Sequence, residues 1–284
     1  MILSMSYSVL ILTNNEAINI HRCIESLKEC DDIVVVDSHS EDETLEILSG
    51  LPVRVYSRKF DSFAGQRNWA IDTIEFKHRW VLHLDADECM TPDLHDELCD
   101  VTQRDEKSAF YIANKIIFMN RWIRRSSMYP FYQARLLRLG ESRFEQIGHG
   151  QHLSFATRGS GLLKEPYIHY NFSKGISDWL RRHNRYSSDE AQRLSGGQDL
   201  GFTTMISQIF GKQGDERQQA LKLLADRIPY RPLIRFAYLF FWKRAFLDGR
   251  PGFHYCMLVA FYDYLIRLKA EEIRLAKSPP SKAS

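Results

Sequence analysis

The stretch Trp80-Val-Leu-His-Leu-Asp-Ala-Asp-Glu88 decides how this chain is read. A mostly apolar run, too short to be a helix on its own, leads directly into three acids. That is the pattern of a buried strand with a polar carboxyl end. Open α/β sheets gather their ligands at such ends. Asp85 and Asp87 stand two residues apart, so in the turn after the strand both can reach one hard cation. A solvated acidic loop that caps the next helix has the same local sequence, so the choice depends on the rest of the chain.

Towards the N-terminus the pattern repeats. Ser8-Val-Leu-Ile-Leu-Thr13, Ile33-Val-Val-Val-Asp37 and Val53-Arg-Val-Tyr-Ser57 read as strands. Between them, helical spacing places helices at about 17 to 29 and from Glu43 to Leu48, where Gly50 and Pro52 stop the second. Gly65 to Ile74 reads as a third, with Trp69 and Ala70 inward. This alternation argues for a mostly parallel sheet with helices on both faces. Three strand ends carry polar groups: Thr13-Asn-Asn-Glu16, Asp37-Ser-His-Ser40 and Asp85-Ala-Asp-Glu88. Side by side they offer a carboxylate for a base or ribose (Asp37), short hydroxyls and amides, and a carboxylate pair for a metal. A nucleoside diphosphate bridged by a divalent cation requires that set. For Asp37 or Thr13 alone, a helix-capping role competes with this reading. There is no G-x-G-x-x-G and no Walker lysine.

Composition narrows the classes without choosing among them. The chain has 284 residues, 44% hydrophobic and 26% charged, enough for one large domain or one domain with an appendage. Its 38 Lys and Arg against 36 Asp and Glu give no global basic bias. The five cysteines are odd in number and have no CxxC spacing. Neither a disulfide framework nor a zinc site is expected, and a reducing cytosol fits. Cys89 is expected as a packing residue. The N-terminus has no basic segment followed by an apolar core, and no run reaches the ~18 apolar residues of a spanning helix. A cytoplasmic protein is expected.

Four stretches then carry a resemblance: Val9-Leu-Ile-Leu-Thr-Asn-Asn-Glu16, Val34-Val-Val-Asp-Ser-His-Ser-Glu-Asp-Glu-Thr44, Phe63-Ala-Gly-Gln-Arg-Asn-Trp-Ala70 and Val81-Leu-His-Leu-Asp-Ala-Asp-Glu88. In this order they resemble the successive motifs of family 2 glycosyltransferases. The nearest branch is that of lipopolysaccharide-core and related polysaccharide enzymes with an Asp-Ala-Asp-Glu signature. The likeness is strongest over about residues 6 to 150. It implies a GT-A fold, a nucleotide-sugar donor (a UDP-sugar first), a divalent metal (manganese or magnesium) and inversion at the anomeric carbon. By position it implies that Thr13, Asn15 and Glu16 belong to the first nucleotide-contacting loop. Asp37 would contact the base with Ser40 nearby, and Gln66 and Arg67 would approach the donor from a helix start. Asp85 and Ala86 would lie near ribose and metal, with Asp87 as metal ligand beside Asp85. Arg67 also has a direct rationale, since a guanidinium offsets carboxylate or phosphate charge; a surface helix arginine is the alternative.

Beyond the motifs, Pro92 starts a helix over about 93 to 103, and Ala109 to Met119 is β-rich. In Arg121 to Arg138 basic and aromatic residues alternate, a mixture that suits sugars and their phosphates; Leu136, Leu137 and Leu139 also allow an ordinary strand. The preceding fold argues against nucleic acid as partner. An inverting transferase needs a general base. The branch commonly places a His-Glu pair near Phe144-Glu-Gln-Ile-Gly-His-Gly-Gln-His152, but here Gly150 follows His149. Glu145, His149, His152 and Glu88 remain the candidates, with glycines around His149 suggesting a site loop. The resemblance also suggests His169 as a third metal ligand, against a packed histidine in a Tyr-rich strand.

The catalytic domain is expected over 6–172, divided at 104/105 into donor and acceptor sides, with a helical region over 173–276 and a disordered tail over 277–284. Ser177 to Arg193 and Tyr255 to Leu268 read as helices, and Ser195 to Asp215 as a connector. Residues 227–250 are aromatic, apolar in the middle and studded with Arg and Lys. Such helices suit the inner face of an anionic membrane, or else pack on another part of the chain or on a second subunit. The expected activity is sugar transfer to a saccharide acceptor, lipid-linked or of lipopolysaccharide. A nucleotidyltransferase on the same sheet and a catalytically silent membrane-bound scaffold are the alternatives.

Overall fold

The aliphatic runs form the strands that the sequence predicts, and their register sets the edge where the polar ends meet. The computed structural model describes residues 6–147, 150–196 and 230–277. In chain order the first part runs β1 (Tyr7–Thr13), α1 (Ala17–Glu25), β2 (Ile33–Asp37), α2 (Thr44–Ser49), β3 (Arg54–Ser57), α3 (Phe63–Thr73), β4 (Trp80–Asp85) and β5 (Glu88–Cys89). It continues with α4 (Pro92–Arg104), β6 (Ala109–Phe118), β7 (Arg121–Trp122), β8 (Tyr132–Arg138), β9 (Ser142–Ile147), β10 (Gly150–Ala156), β11 (Ser160–Leu162) and β12 (Tyr167–His169).

Ten strands form one sheet in the order β3-β2-β1-β4-β8-β6-β12-β5, with β7 and β11 paired on β6. From β3 to β4 the pairing is parallel. β8 then joins antiparallel between β4 and β6. The result is the α/β, GT-A architecture, a largely parallel curled sheet followed by a helical C-terminal region. In the parallel half Thr13 lies opposite Asp37 and Leu12 opposite Asp85. The polar ends of β1, β2 and β4 therefore share one edge.

Alternation along the strands buries both faces. Val9, Ile11, Val35, Leu82 and Leu84 pack with Ile20, Cys23 and Leu27 of the α1 segment and with Leu94 and Leu98 of α4. On the other face Leu10, Leu12, Val34, Val36 and Val81 pack with Ala70 of α3 and with Ile74 and Phe76. α3 begins two residues before the expected Gly65 because Ser62 caps it, its Oγ accepting from Gly65 N at 3.0 Å. Thr91 caps α4 in the same way, with Pro92 in the first turn.

The expected site loop at His149 lies outside the described residues, while β9 and β10 pair antiparallel as a separate two-stranded sheet. Asn68 of α3 holds it by both backbone groups of Phe144, donating to its carbonyl at 2.8 Å and accepting from its amide at 3.2 Å.

The chain divides into two compact units, one to Trp179 and one from Leu180, the boundary falling inside α5 (Gly175–Gly196). The second unit continues with α6 (Arg231–Ala237), a π-helical turn (Tyr238–Trp242), a 3-10 turn (Ala245–Asp248) and α7 (Gly249–Lys277). α7 is longer at both ends than the expected 255–268: Pro251 is tolerated in a first turn, and Lys, Glu, Arg and Ala extend the far end. Within this unit Lys269 Nζ donates to Asn184 Oδ1 at 2.7 Å and to Ser187 Oγ at 2.8 Å. Arg231 and Arg235 both face Asp263 at 3.4 Å. Gly252 lets the 3-10 turn rest on α7, since a Cβ there would lie 2.3 Å from Ala245 O. No helix among the described residues is long and apolar enough to cross a membrane. All of the expected tail but Lys277, which ends α7, and most of the expected connector lie outside the described residues.

Asp32 ties three elements at the start of β2. Its carboxylate accepts from Ser8 Oγ of β1 at 2.5 Å, from Arg54 of β3 at 2.7 Å and from the Lys77 amide before β4 at 2.8 Å. Burial opposes its ionisation, but those donors outweigh burial and hold its pKa below the usual carboxylate value. A depressed folded pKa contributes stability that is present above the unfolded value of ~3.9 and lost as pH falls through the folded one. We expect Asp32→Ala to cost about 2–3 kcal/mol at neutral pH, since it strands buried donors. Urea unfolding at neutral pH and again below pH ~4 should show the difference from wild type shrinking in acid.

Candidate active site

The first strand ends are laced together by short polar side chains. Asp37 is fully buried, and Ser40 satisfies it twice: Ser40 N donates to Oδ2 at 2.9 Å and Ser40 Oγ to Oδ1 at 2.5 Å. Ser40 Oγ in turn accepts from Asn15 N at 2.8 Å, and Asn15 Oδ1 accepts from Glu41 N at 2.7 Å. Asn15 adopts a left-handed φ of 54°, a conformation Asn tolerates better than most residues. Neither Thr13 nor Asp37 caps a helix, because Glu16 and Glu43 occupy those positions. Gln66 reaches the same region from α3, donating to Ser38 Oγ at 2.8 Å and to Arg58 O at 3.1 Å. Ala86 is buried and its N–H donates to Leu12 O at 3.2 Å, which carries the β1–β4 ladder into the acidic turn.

Beside this edge two buried arginines meet two carboxylates. Asp85 Oδ1 accepts from Arg67 at 2.7 Å and Oδ2 from Arg135 of β8 at 3.1 Å. Arg135 also pairs with Glu88, whose Oε2 accepts from Asp85 N at 2.9 Å. Tyr167 OH and Gln133 Oε1 complete the shell of Arg135. Arg67 additionally donates to Gln151 of the β9–β10 hairpin. Burial alone would raise the Asp85 pKa, but Arg67 and Arg135 together hold it well below the usual range. For Glu88 burial wins over Arg135, and its pKa is pushed up to about 7.

The third acid faces a different partner. β5 pairs antiparallel with β12, placing His169 opposite Glu88, and Tyr170 N donates to Asp87 O at 2.9 Å. His169 Nε2 then lies 3.3 Å from Asp87 Oδ2. Burial disfavours the imidazolium, but Asp87, with Glu88 and Asp85 behind it, raises the His169 pKa to about 9. Glu16 is held by Asn19 Nδ2 and by Lys174 Nζ, at 2.7 and 2.6 Å, and burial raises its pKa.

Among the described residues no group of three or more His, Cys, Asp or Glu is arranged to hold a metal ion. A nucleotide-linked magnesium or manganese does not require three, because substrate phosphates and water fill most of its positions. Asp87 and His169 fit that role, and His169 Nδ1 is buried without a hydrogen-bond partner. Both oxygens of Asp85 accept from arginine, so it is the anion that orders Arg67 and Arg135 next to Asp87. Glu88 is fully buried and pairs with Arg135.

The remaining base candidates lie on the hairpin. Glu145 and His152 are opposite each other across the strands and both are exposed. Gln146 and Gln151 form the neighbouring pair; Gln146 Oε1 accepts from Ala64 N at 3.2 Å, and Gln151 reaches Arg67. Side chains alternate along a strand, so Glu145 points away from the Asp85 cluster. His149 lies outside the described residues. Arg67, 1% exposed, is not a surface helix arginine. Cys89 is a buried thiol whose pKa burial raises, as a packing residue requires. Sequence reasoning missed Arg135, Gln151 and Lys174 as members of this region. The signal for Arg135 was present, as a charge set between Ala134 and Leu136-Leu137 in a strand with a buried centre.

A model of the family described as glycosyl transferase family 2 matches residues 8–164. An uncharacterized glycosyltransferase of Rickettsia bellii is 27% identical over 99% of this chain and 92% of its own. The lipopolysaccharide core biosynthesis glycosyltransferase LpsC of Rhizobium meliloti is 25% identical over 99% of this chain and 97% of its own. A solved structure of S. aureus TarS 1-349 in complex with UDP-GlcNAc is 15% identical, with a TM-score of 0.43, over 96% of this chain and 92% of that one.

The arginine cluster makes a direct demand on stability. Arg135→Met leaves Glu88 buried without its cation and Asp85 with Arg67 alone, and we expect a loss of about 3–5 kcal/mol. Urea unfolding reads this, and the further change Glu88→Gln in the same chain should recover part of the loss.

Proposed function

The chain belongs to glycosyl transferase family 2, and on that premise we propose that it moves a sugar from a UDP-sugar to a saccharide of lipopolysaccharide or another lipid-linked chain, with inversion at the anomeric carbon. One observation carries the donor half of this reading. The parallel register gathers Thr13, Asp37 and the Asp85-Ala86-Asp87 turn on one edge, and buried polar atoms there lack protein partners. Thr13 Oγ1, Arg67 Nε, Arg135 Nη1 and His169 Nδ1 are all in that state. Buried polar groups are nearly always satisfied, so such a group of unsatisfied ones at one edge argues for a polar ligand. The acceptor half rests on the likeness to LpsC.

In this reading the loops after β1 and β2 hold the nucleoside, with Asp37 and Ser40 fixed to each other before the donor arrives. Arg67 and Arg135, pinned by Asp85 and Glu88, place positive charge beside the diphosphate without being drawn out of position. Asp87 and His169 would hold the divalent cation, manganese or magnesium, which when bound neutralises charge on the departing nucleoside diphosphate. The acceptor oxygen attacks the anomeric carbon as the bond to the diphosphate breaks, and a base takes the acceptor proton. His149 is the proposed base. It belongs to the stretch joining β9 to β10, and β10 contributes Gln151 to the shell of Arg67.

Replacing Asp87 tests the cation site. Its side chain is 18% exposed, so Asp87→Ala should leave the protein folded. We expect transfer and UDP release to fall by about 10²–10³-fold, as when one electrostatic stabiliser is removed. Near-normal turnover would remove Asp87 from the mechanism.

The donor is tested separately by thermal shift with UDP-, GDP-, CMP- and dTDP-sugars, each with and without manganese. Ligand at about 100 times its dissociation constant stabilises the native state by ~2.7 kcal/mol. A UDP-sugar should therefore raise the transition, and more so with manganese. A larger rise with another nucleotide would sink the UDP assignment.

A further inference from the structure

The second unit carries an exposed surface of aromatic rings and cations. Between α6 and α7 the backbone makes a π-helical turn, a left-handed residue (Arg244, φ 58°) and a 3-10 turn. This path puts Leu239 and Ala245 inside against Cys256 and turns their neighbours out. Phe241 is 65% exposed, Trp242 78%, Phe246 46% and Leu247 48%. Lys243 and Arg244 stand exposed between these rings, and Arg250 follows. From Tyr230 to Cys256 the one acid is Asp248, and it is buried. The exposed charge of this tip is therefore wholly positive. Along α7 the apolar surface continues through Phe253, Met257, Phe261, Tyr264 and Leu268, all exposed and at helical spacing.

A water-facing surface does not keep a tryptophan and two phenylalanines together at a tip without an occupant. Aromatic rings settle at headgroup depth, and Lys and Arg stems lie along apolar surface while their charges reach phosphate. The interleaving of rings with cations, and the burial of the one acid, match an anionic lipid surface. A protein partner of unspecified charge requires neither feature. We propose that the turn Tyr238–Arg250 is a membrane-docking tip. Phe241, Trp242, Phe246 and Leu247 enter the headgroup layer of an anionic bilayer, and Lys243, Arg244 and Arg250 bind its phosphates. The docking is peripheral and does not depend on which sugar or acceptor the catalytic unit handles.

Flotation of the full chain with vesicles tests this. Vesicles of equal parts phosphatidylglycerol and phosphatidylcholine should carry the protein, pure phosphatidylcholine should not, and salt should weaken the binding. Lys243→Gln with Arg244→Gln should lower partitioning about fivefold per cation removed, about 25-fold for the pair. Brominated lipid should quench tryptophan emission in wild type, and Trp242→Phe, which keeps a ring at the tip, should abolish that quenching while binding persists. Equal binding to both vesicle types, or unchanged binding by the double variant, would overturn the proposal. So would an absence of vesicle binding, above all if sedimentation showed a dimer that Trp242→Ala dissolves, since a second copy would then cover the tip.

Discussion

Everything at the candidate site depends on Arg135. A guanidinium buried in the middle of a sheet is stable only if carboxylates surround it, and here Asp85 and Glu88 do so from the end of the neighbouring strand and from β5 just after it. The dependence is mutual. Without Arg135, two acids three residues apart would repel each other in a medium that screens poorly. With it, the turn after β4 is held rigid, and Arg67 is drawn in from α3 to share Asp85. The cluster then leaves Asp87 as the acid that faces His169. The division among the three acids follows from where the arginines are, since the carboxyl groups themselves are chemically alike.

Much of the donor half was legible because its signals are local. An aliphatic run such as Ile33 to Val36 has few ways to be buried other than as a strand, and β2 forms where the run predicts it. The polar strand ends were legible for the same reason, since parallel neighbours must bring their ends together. What was not legible depended on partners distant in sequence. His169 joins Asp87 only because β5, two residues long, pairs with β12. Arg135 looked like one more cation in a basic and aromatic segment until β8 inserted antiparallel beside β4. Sequence gives the chemical type of each residue, but pairings across many residues decide which charge meets which.

Alternation is legible in the first strand of the β9–β10 pair: Phe144 packs inward, Gln146 reaches α3, and Glu145 between them faces water. In the second unit, length was less legible. The apolar segment Tyr255 to Leu268 suggested where packing occurs, whereas α7 runs on through residues that favour helix without being buried.

The independence of the β9–β10 sheet has one more consequence. Among the described residues it shares no ladder with the ten-stranded sheet; it is held by α3, through Asn68 and the Ala64 amide, and by packing of Phe144 on Ala109 and Leu137. Insertion or loss of residues between Ile147 and Gly150 therefore shifts no register in the main sheet. Descendants of this chain could lengthen, shorten or re-equip that tip over evolutionary time while the strand edges that gather Thr13, Asp37 and Asp85 stay fixed. Change in one piece need not disturb the other, because the two are separately hydrogen-bonded pieces of backbone.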